Sequence, residues 1–526
     1  MRTLDEEMRL ARAKKQQAAI DKQRPEPSAE QSMRLSIWEG GYYGILTGLT
    51  QSFLAPLALL FSASNLVISL LSTLPTLVGS LFQLRAPEVL DWFRSRRRYM
   101  LVFLGVQAVV WVLIGLLTLI PNTGVALLLL VLLSIAASSF SLLVNPVWMS
   151  YIGDLVPVHR RNRFFGVRNA ITGAVTFGAT IVAGLVLLVF GANPAWGFLI
   201  LFVGAGAARA ASVACFWFSK DLLAPPKEKR FSLQRFLNRI PTSDFGRFVS
   251  LAVTLRVAAY VSAPFFVVYQ LKVLNLDYFL FTILQLASLV SSFLSVRYWT
   301  MVVDNRGNRH VLLYSGFLIA FIPLLWITTA AFPALLLFQL FSGIAWAGFN
   351  LASSNYMLEA TSSKSRTRPI AYFNLLNNVA IFVGGIAGAF LLWLAGLVIA
   401  SPAAPFLIVF GVSGVLRLSA ASIARPKLRE LRYLEIPVRR GLVTSFVTLL
   451  PQQGLVVQHY APVSDYVIER LHHARKMKDE FDEFEKVGVP KHVVKRMKPK
   501  ERELLRERFI ERSGGQLPKR PRGMKK

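Results

Sequence analysis

Polar side chains recur at helical spacing inside four long apolar segments, and their types suit contact with a solute. Side chains three or four residues apart lie on one face of a helix. Such a face is unfavourable against lipid, so it is expected to contact protein or water. The candidate cavity residues are Glu39, Tyr43 and Gln51 in one segment, Ser141, Asn145 and Trp148 in the next, Arg256 and Tyr260 in a third, and Gln339, Trp346 and Asn350 in a fourth.

A second interpretation fits the same faces, because small polar residues also hold membrane helices together. Glu39 and Arg256 could each reach the membrane interface with their head groups. Arg209 and Arg417 stand at matching places in two other apolar segments. For both we expect a structural role in which the side chain reaches the interface.

The elements that must position these residues are apolar runs. Of the 526 residues, 54% are hydrophobic and 17% are charged. Runs of 18 or more apolar residues are typical of helices that cross a membrane. The sequence predicts twelve of them, called spans 1 to 12 below, at about 37–62, 66–84, 99–120, 124–151, 168–190, 195–217, 247–270, 278–298, 310–331, 334–357, 370–396 and 403–423.

The distribution of charge predicts the orientation of the chain. The net charge is +30, and the Lys and Arg residues cluster in the loops after spans 2, 4, 6, 8 and 10 and in the tail. This alternation follows the positive-inside rule, so we expect a multi-pass protein of the cytoplasmic (inner) membrane with both termini in the cytoplasm. It favours contact with anionic lipids over nucleic-acid binding. The single cysteine, Cys215, predicts neither a disulfide nor a metal site, and no cofactor is expected.

The chain repeats itself. Residues 145–177 align without a gap to residues 350–382, and Ala55-Pro56 aligns to Ala263-Pro264 at an offset of 208. Because each repeat has an even number of spans, both begin and end on the same side of the membrane. The two halves are then related by an axis along the membrane normal, with a substrate path between them.

This organisation predicts an all-α polytopic membrane protein with twelve transmembrane helices in two parallel six-helix repeats. Amphipathic periodicity predicts helices in the C-terminal tail as well. The expected domains are an N-terminal cytoplasmic arm at 1–36, a six-helix bundle at 37–217, a cytoplasmic linker at 218–246, a second bundle at 247–423 and a cytoplasmic tail at 424–526.

A loop motif gives the chain a family resemblance. The sequence TMVVDNRGNRH after span 8 carries Asp304, Gly307 and Arg309, and PEVLDWFRSRRR after span 2 carries Asp91, with Arg94 where a glycine is expected. With the topology, this motif resembles the major facilitator superfamily. Segments such as SAPFFVVYQL look like those of its poorly characterised prokaryotic members. The resemblance implies a central cavity lined by spans 1, 4, 7 and 10 and a transport activity.

The loop motifs also suggest a gate at the cytoplasmic mouth. Asp304 and Asp91 would pair with the basic starts of spans 5 and 11, where helix N-termini favour a carboxylate. The alternative is that these arginines only set the topology. Besides Asp91, Asp304, Gly307 and Arg309, the candidate gate residues are Asp154, Arg161, Arg163 and Arg168 in the first half and Glu359, Arg366 and Arg368 in the second.

The leading interpretation is a secondary active or facilitative transporter that moves a small solute by alternating access. The chain contains no Walker-type phosphate loop, and no cluster of His, Asp and Glu lies at membrane depth, so an enzyme is not expected. The alternative is a non-transporting sensor or scaffold that acts through its tail. Glu39 is the only carboxylate that could couple transport to protons, so uniport, anion exchange and coupling through Glu39, or another ion, stay open.

Overall fold

Long helices follow the apolar runs of the sequence. The computed structural model describes residues 27–157, 160–222, 233–240, 243–359, 367–424, 428, 446–450 and 454–458. Within these residues, twelve helices are long and apolar enough to cross a membrane. The predicted all-α membrane fold is therefore confirmed.

Each half contributes six of these helices. The first half consists of Pro27–Thr50 and Leu54–Leu60 (span 1), Asn65–Gln83 (span 2), Arg96–Leu116 (span 3), Thr123–Leu155 (span 4), Arg161–Val189 (span 5) and Pro194–Trp217 (span 6). The second half consists of Asp244–Tyr260, Phe265–Val268 and the π-helix Tyr269–Val273 (span 7), Tyr278–Arg306 (span 8), Asn308–Thr328 (span 9), Phe332–Glu359 (span 10), Thr367–Val398 (span 11) and Ala404–Ala424 (span 12). Short helices at Ala86–Phe93, Leu117–Leu119 and Leu233–Arg239 lie in the connections.

Polar residues in the short loops fix where several helices begin. Ser64 accepts a hydrogen bond from the backbone N–H of Val67 at 3.4 Å, and Asp277 accepts one from Leu280 at 2.7 Å. These N-caps satisfy donors that the first turn of a helix leaves without a partner.

Spans 1 and 7 are interrupted at corresponding places. Span 1 leaves helical geometry at residues 51–53, and span 7 does so at residues 261–264. The breaks adjoin Ala55-Pro56 and Ala263-Pro264, the dipeptides that the repeat aligns. Proline cannot donate a backbone hydrogen bond, which explains why both helices restart here.

The two halves pack their helices in the same order. In the first half, span 1 contacts spans 5 and 6, span 3 contacts span 6, and span 2 contacts span 4. In the second half, span 7 contacts spans 11 and 12, span 9 contacts span 12, and span 8 contacts span 10. This correspondence confirms two parallel six-helix repeats.

The ring contacts that the described residues make between the halves lie away from the basic loops. We call the end of the bundle that carries the loops after spans 2, 4, 6, 8 and 10 the basic end. Toward the opposite end, the rings of Phe53 and Phe281 lie 6.4 Å apart, and those of Phe198 and Tyr278 lie 5.4 Å apart. Span 11 packs so closely on span 2 that a Cβ atom at Gly385 would come within 2.7 Å of Thr73 Cγ2.

The described part of the tail forms a β-hairpin. Strand β1 (Phe446–Leu450) pairs antiparallel with strand β2 (Gly454–Gln458), with Leu450 opposite Gly454. β1 lies against span 5 and β2 against span 10. The amphipathic helices predicted beyond the hairpin lie outside the described residues.

We expect Gly385→Val to open the end at which the halves meet. Overpacking typically costs about 1–3 kcal/mol, which displaces a two-state equilibrium by about 5- to 150-fold. Gly396→Val is the matched control on the same helix, because a Cβ atom there meets nothing within 4 Å.

The readout is labelling of Gln51→Cys, an exposed position at the break of span 1, in a Cys215→Ser background. A membrane-impermeant maleimide added from the opposite end should label the Gly385→Val protein faster than the control. Equal rates in the two proteins would contradict the packing described for spans 2 and 11.

Candidate functional site

A buried ion cluster joins three helices of the first half. Glu39 on span 1 is only 4% exposed, and its Oε2 accepts a hydrogen bond from Arg168 Nη2 of span 5 at 2.6 Å. Its Oε1 lies 3.9 Å from Arg209 Nη1 of span 6. A carboxylate that is paired twice inside the bundle is held rigidly, because an unpaired charge there is strongly unfavourable.

Glycine packing brings Arg168 to Glu39. A Cβ atom at Gly44 would lie 2.7 Å from the Thr172 carbonyl oxygen, and one at Gly48 would lie 2.5 Å from that of Thr176. Spans 1 and 5 thus approach through small residues four apart, as close-packed membrane helices do. The Thr172 hydroxyl also donates to the Gly40 carbonyl at 2.9 Å.

Arg209 and Arg417 are buried bridges, so the expectation that they reach the interface is wrong. Arg209 is 4% exposed, and its Nε donates to Gln107 Oε1 of span 3 at 2.7 Å. Arg417 is 2% exposed and donates to the Ile319 carbonyl of span 9 at 3.0 Å. Each side chain therefore connects its span to the third helix of its own half.

A second cluster lies between spans 7 and 10. Arg256 Nη2 donates to Asn350 Oδ1 at 3.3 Å, and the Arg256 Cζ lies 4.9 Å from the centre of a Trp346 ring. Arg256 is partly exposed. Span 7 begins at Asp244, so Arg256 lies about 18 Å along the helix, which is too deep for the interface position considered from the sequence.

Two of the predicted cavity residues share a recess. Gln51 and Ser141 line a space of about 60 Å³ between spans 1, 3 and 4, together with Thr47, Thr50 and Gln107. Gln51 is exposed although it lies in the middle of span 1. The polar face of span 1 therefore borders an open space, whereas Glu39 on the same span is enclosed.

The other candidate cavity residues differ in their surroundings. Trp148 stacks under Arg168, whose Cζ lies 4.3 Å from the ring centre, and the Tyr43 ring lies 5.5 Å from the Arg209 Cζ. These two aromatic residues therefore belong to the ion cluster. Three more are partly exposed: Asn145, Tyr260 and Gln339. Of these, Tyr260 lies close enough to Arg256 to interact with its charge.

Several candidate gate residues of the first half form hydrogen bonds or ion pairs with other residues of that half. Asp154 Oδ2 lies 2.6 Å from Arg96 Nη1 of span 3. Arg161 donates to the carbonyl oxygens of Val156 and Gly153, which closes the turn between spans 4 and 5. Arg163 is exposed. Arg168 is bonded to Glu39 in this structure and is therefore not at the mouth.

The two loop motifs share a backbone feature, although the first copy has an arginine in place of the glycine. Gly307 has φ 84°, and Arg94, at the matching position, has φ 54°. Both values lie in the left-handed region, which favours glycine. Arg309 Nε donates to the Leu428 carbonyl at 2.6 Å and thus ties the chain after span 12 to span 9.

The remaining gate candidates are only partly described. Asp91 is partly exposed and Asp304 is exposed. The side chains of Glu359 and Arg368, and the whole of Arg366, lie outside the described residues. In the part of the chain that the structure describes, no group of three His, Cys, Asp or Glu side chains could hold a metal ion.

Comparison with known proteins agrees with this architecture. The sequence profile of the Major Facilitator Superfamily matches residues 42–297. By sequence, residues 42–297 belong to this superfamily. No curated protein sequence matches it.

Solved structures of transporters share the fold of this chain. A bacterial homologue of the iron transporter ferroportin, in an inward-facing state, superposes with a TM-score of 0.57 at 14% identity, covering 76% of this chain and 98% of that one. The nucleoside transporter NupG gives 0.55 at 14% identity, covering 76% and 99%. A bacterial homologue of the human lysosomal transporter Spinster, inward-facing and unoccupied, gives 0.53 at 14% identity, covering 77% and 95%.

We expect Glu39→Gln to destabilise the first half strongly. Removing the carboxylate leaves two buried guanidinium groups without a counter-ion, which typically costs about 3–5 kcal/mol. The free energy of unfolding can be measured by titrating the purified protein with denaturant in lipid–detergent micelles. The matched control is Glu88→Gln, whose side chain is 57% exposed and lies 3.8 Å from Arg85. It should cost less than about 1 kcal/mol, and equal losses in the two variants would argue against the cluster.

Proposed function

We propose that this protein moves a small solute across the membrane by alternating access between its two six-helix halves. One observation carries the proposal: the ring contacts that the described residues make between the halves lie toward the opposite end, while the polar faces of spans 1 and 7 lie deeper in the bundle. Such an arrangement is closed at one end and can open at the other by rocking of the halves. A transporter of unspecified substrate is the function that the superfamily supports.

The positive-inside rule indicates which side of the membrane the closed end faces. Lys and Arg concentrate at the basic end, so we place that end and both termini in the cytoplasm. The described state is then closed toward the outside. Two of the similar solved structures are inward-facing, which is consistent with this assignment.

The buried position of Glu39 bears on coupling. In this state its carboxylate contacts Arg168 and Arg209 and is 4% exposed. A carboxylate that exchanges a proton with the cavity must be open to it, so coupling through Glu39 would require the cluster to come apart. Uniport and exchange of solutes require no such step, and they fit the described state better.

A non-transporting scaffold would use the same helices differently. It would have no need for the halves to separate, and locking them would change nothing that it does. Locking the halves therefore distinguishes the two functions.

We expect a disulfide between Thr73→Cys and Gly385→Cys to stop transport reversibly. A Cβ atom at position 385 lies 2.7 Å from Thr73 Cγ2, so sulfur atoms at the two positions lie within bonding reach. The assay measures uptake of a solute panel by proteoliposomes, with and without a pH gradient. In a Cys215→Ser background, oxidation should abolish the uptake of a transported solute and reduction should restore it. The oxidant should not change uptake by a protein that carries only one of the two introduced cysteines. If no solute enters under reducing conditions, or if oxidation leaves uptake unchanged, alternating access is contradicted.

We also propose that Asp304 stabilises the state that is closed at the basic end, by pairing across the mouth with the basic start of span 5. Asp304→Asn should weaken that state by about 0.2–1 kcal/mol, a factor of up to about five in its population. Labelling of Gln51→Cys from the opposite end should slow accordingly. Asp277→Asn is the control, since it removes one charge at the other end and asparagine still caps the helix. A change of equal size in both variants would show that the effect is not specific to the basic end.

A further inference from the structure

Arg256 differs from the buried arginines of the bundle in how little of its guanidinium group is occupied. Arg417 is fully enclosed and donates to the Ser413 and Ser262 hydroxyls and to the carbonyl oxygens of Ile319 and Ala259. Arg256 makes one hydrogen bond, to Asn350 Oδ1, and is partly exposed. A guanidinium group has five N–H donors, so most of those on Arg256 are available to a ligand.

The balance of charge within the spans is positive. Away from the span ends, Glu39 is the only carboxylate of the described residues, and it already contacts Arg168 and Arg209. Arg256 therefore has no protein carboxylate to neutralise it in the described part of the chain. A partly desolvated cation in this position favours an anion as its ligand.

The groups around Arg256 indicate what kind of anion fits. Asn350 accepts from Arg256 through its oxygen, which leaves its amide N–H groups as further donors. Trp346 adds a partly exposed aromatic surface beside the guanidinium group. Donors next to an apolar plane match a molecule that has an acidic group at one end and an apolar body.

We propose that the transported solute is an organic anion, whose carboxylate or phosphate binds Arg256 and Asn350 and whose apolar part lies against Trp346. Guanidinium and carboxylate can form two parallel hydrogen bonds, which gives both affinity and orientation. That the bound anion is also transported rests on the proposed function. The anion site itself can be tested by binding alone.

The experiment uses four probes that share a phenyl ring and differ in charge: benzoate, phenyl phosphate, the neutral benzamide and the cation benzylamine. Binding to the purified full-length protein is measured as a shift in melting temperature over a concentration series. At least one of the two anions should bind, and benzamide and benzylamine should bind at least about tenfold more weakly. A benzoate preference would assign the site to carboxylates, and a phenyl phosphate preference to phosphates.

Two variants test whether Arg256 is responsible. Arg256→Gln removes the cation, and Asn350→Asp supplies an internal counter-ion, 3.3 Å from Arg256 Nη2 in the present geometry. Both should weaken anion binding at least about tenfold, and the second serves if the first does not fold. Arg306→Gln is the control, since it removes one exposed positive charge from the end of span 8 and should leave binding unchanged.

The outcomes separate this inference from the proposed function. Equal binding of anions and benzylamine, no binding of either anion, or anion binding that survives both variants would overturn the anion site while leaving transport intact. Arg256-dependent binding of an anion that proteoliposomes fail to take up would uphold the site and contradict transport. Uptake that is lost in Arg256→Gln and retained in Arg306→Gln would support both.

Discussion

The Glu39 carboxylate between Arg168 and Arg209 is the interaction on which the first half depends. It fixes spans 1, 5 and 6 to one another at a depth where an unpaired charge is strongly unfavourable. The glycines of span 1 are part of the same arrangement, because only close approach of spans 1 and 5 brings Arg168 Nη2 within 2.6 Å of the carboxylate. The stability of the first half and the positions of spans 1, 5 and 6 therefore depend on the same cluster of side chains.

The second half also holds a buried arginine between its helices, but it does so without a carboxylate among the residues that the structure describes. At the offset of 208 that joins the Ala-Pro dipeptides, Glu39 corresponds to Arg247. Arg417, which corresponds to Arg209, binds instead to Ala259 and Ser262 at the break of span 7. Carbonyl and hydroxyl oxygens satisfy its donors but leave its charge in place. The halves thus share one scaffold, yet they differ in net charge, and the partly exposed Arg256 lies in the half that has no buried acid among its described residues.

The sequence predicted the features that depend on local pattern. Apolar runs located the twelve spans, the aligned Ala-Pro dipeptides helped to reveal the repeat, and the two loop motifs with the topology predicted the family. The predictions failed for residues whose role depends on how deeply they are buried. An apolar run does not reveal which face of a helix packs against another helix. Arg209 was expected at the interface, whereas it is 4% exposed within the bundle. Arg168 was assigned to a gate because span 5 was expected to start there, whereas that helix begins two turns earlier, at Arg161. The sequence did contain one signal of this cluster, which is Glu39 itself. A carboxylate inside an apolar segment requires a positively charged partner, and Arg168 and Arg209 are candidates in neighbouring spans.

The two kinds of contact also indicate where the molecule can move. Within the first half, a charged cluster and interlocked glycines would have to be broken for helices to separate, at a cost of several kcal/mol. Between the halves, the contacts of the described residues include ring contacts such as Phe53–Phe281 toward the opposite end and the close packing of Gly385 on the Thr73 side chain. Contacts of this kind can separate without leaving an unpaired buried charge, which is the costly step when a buried ion pair is broken. The weaker boundary therefore runs between the halves, and the ion cluster makes the first half a rigid unit on one side of it. This difference in strength is what a rocking motion about a central site requires.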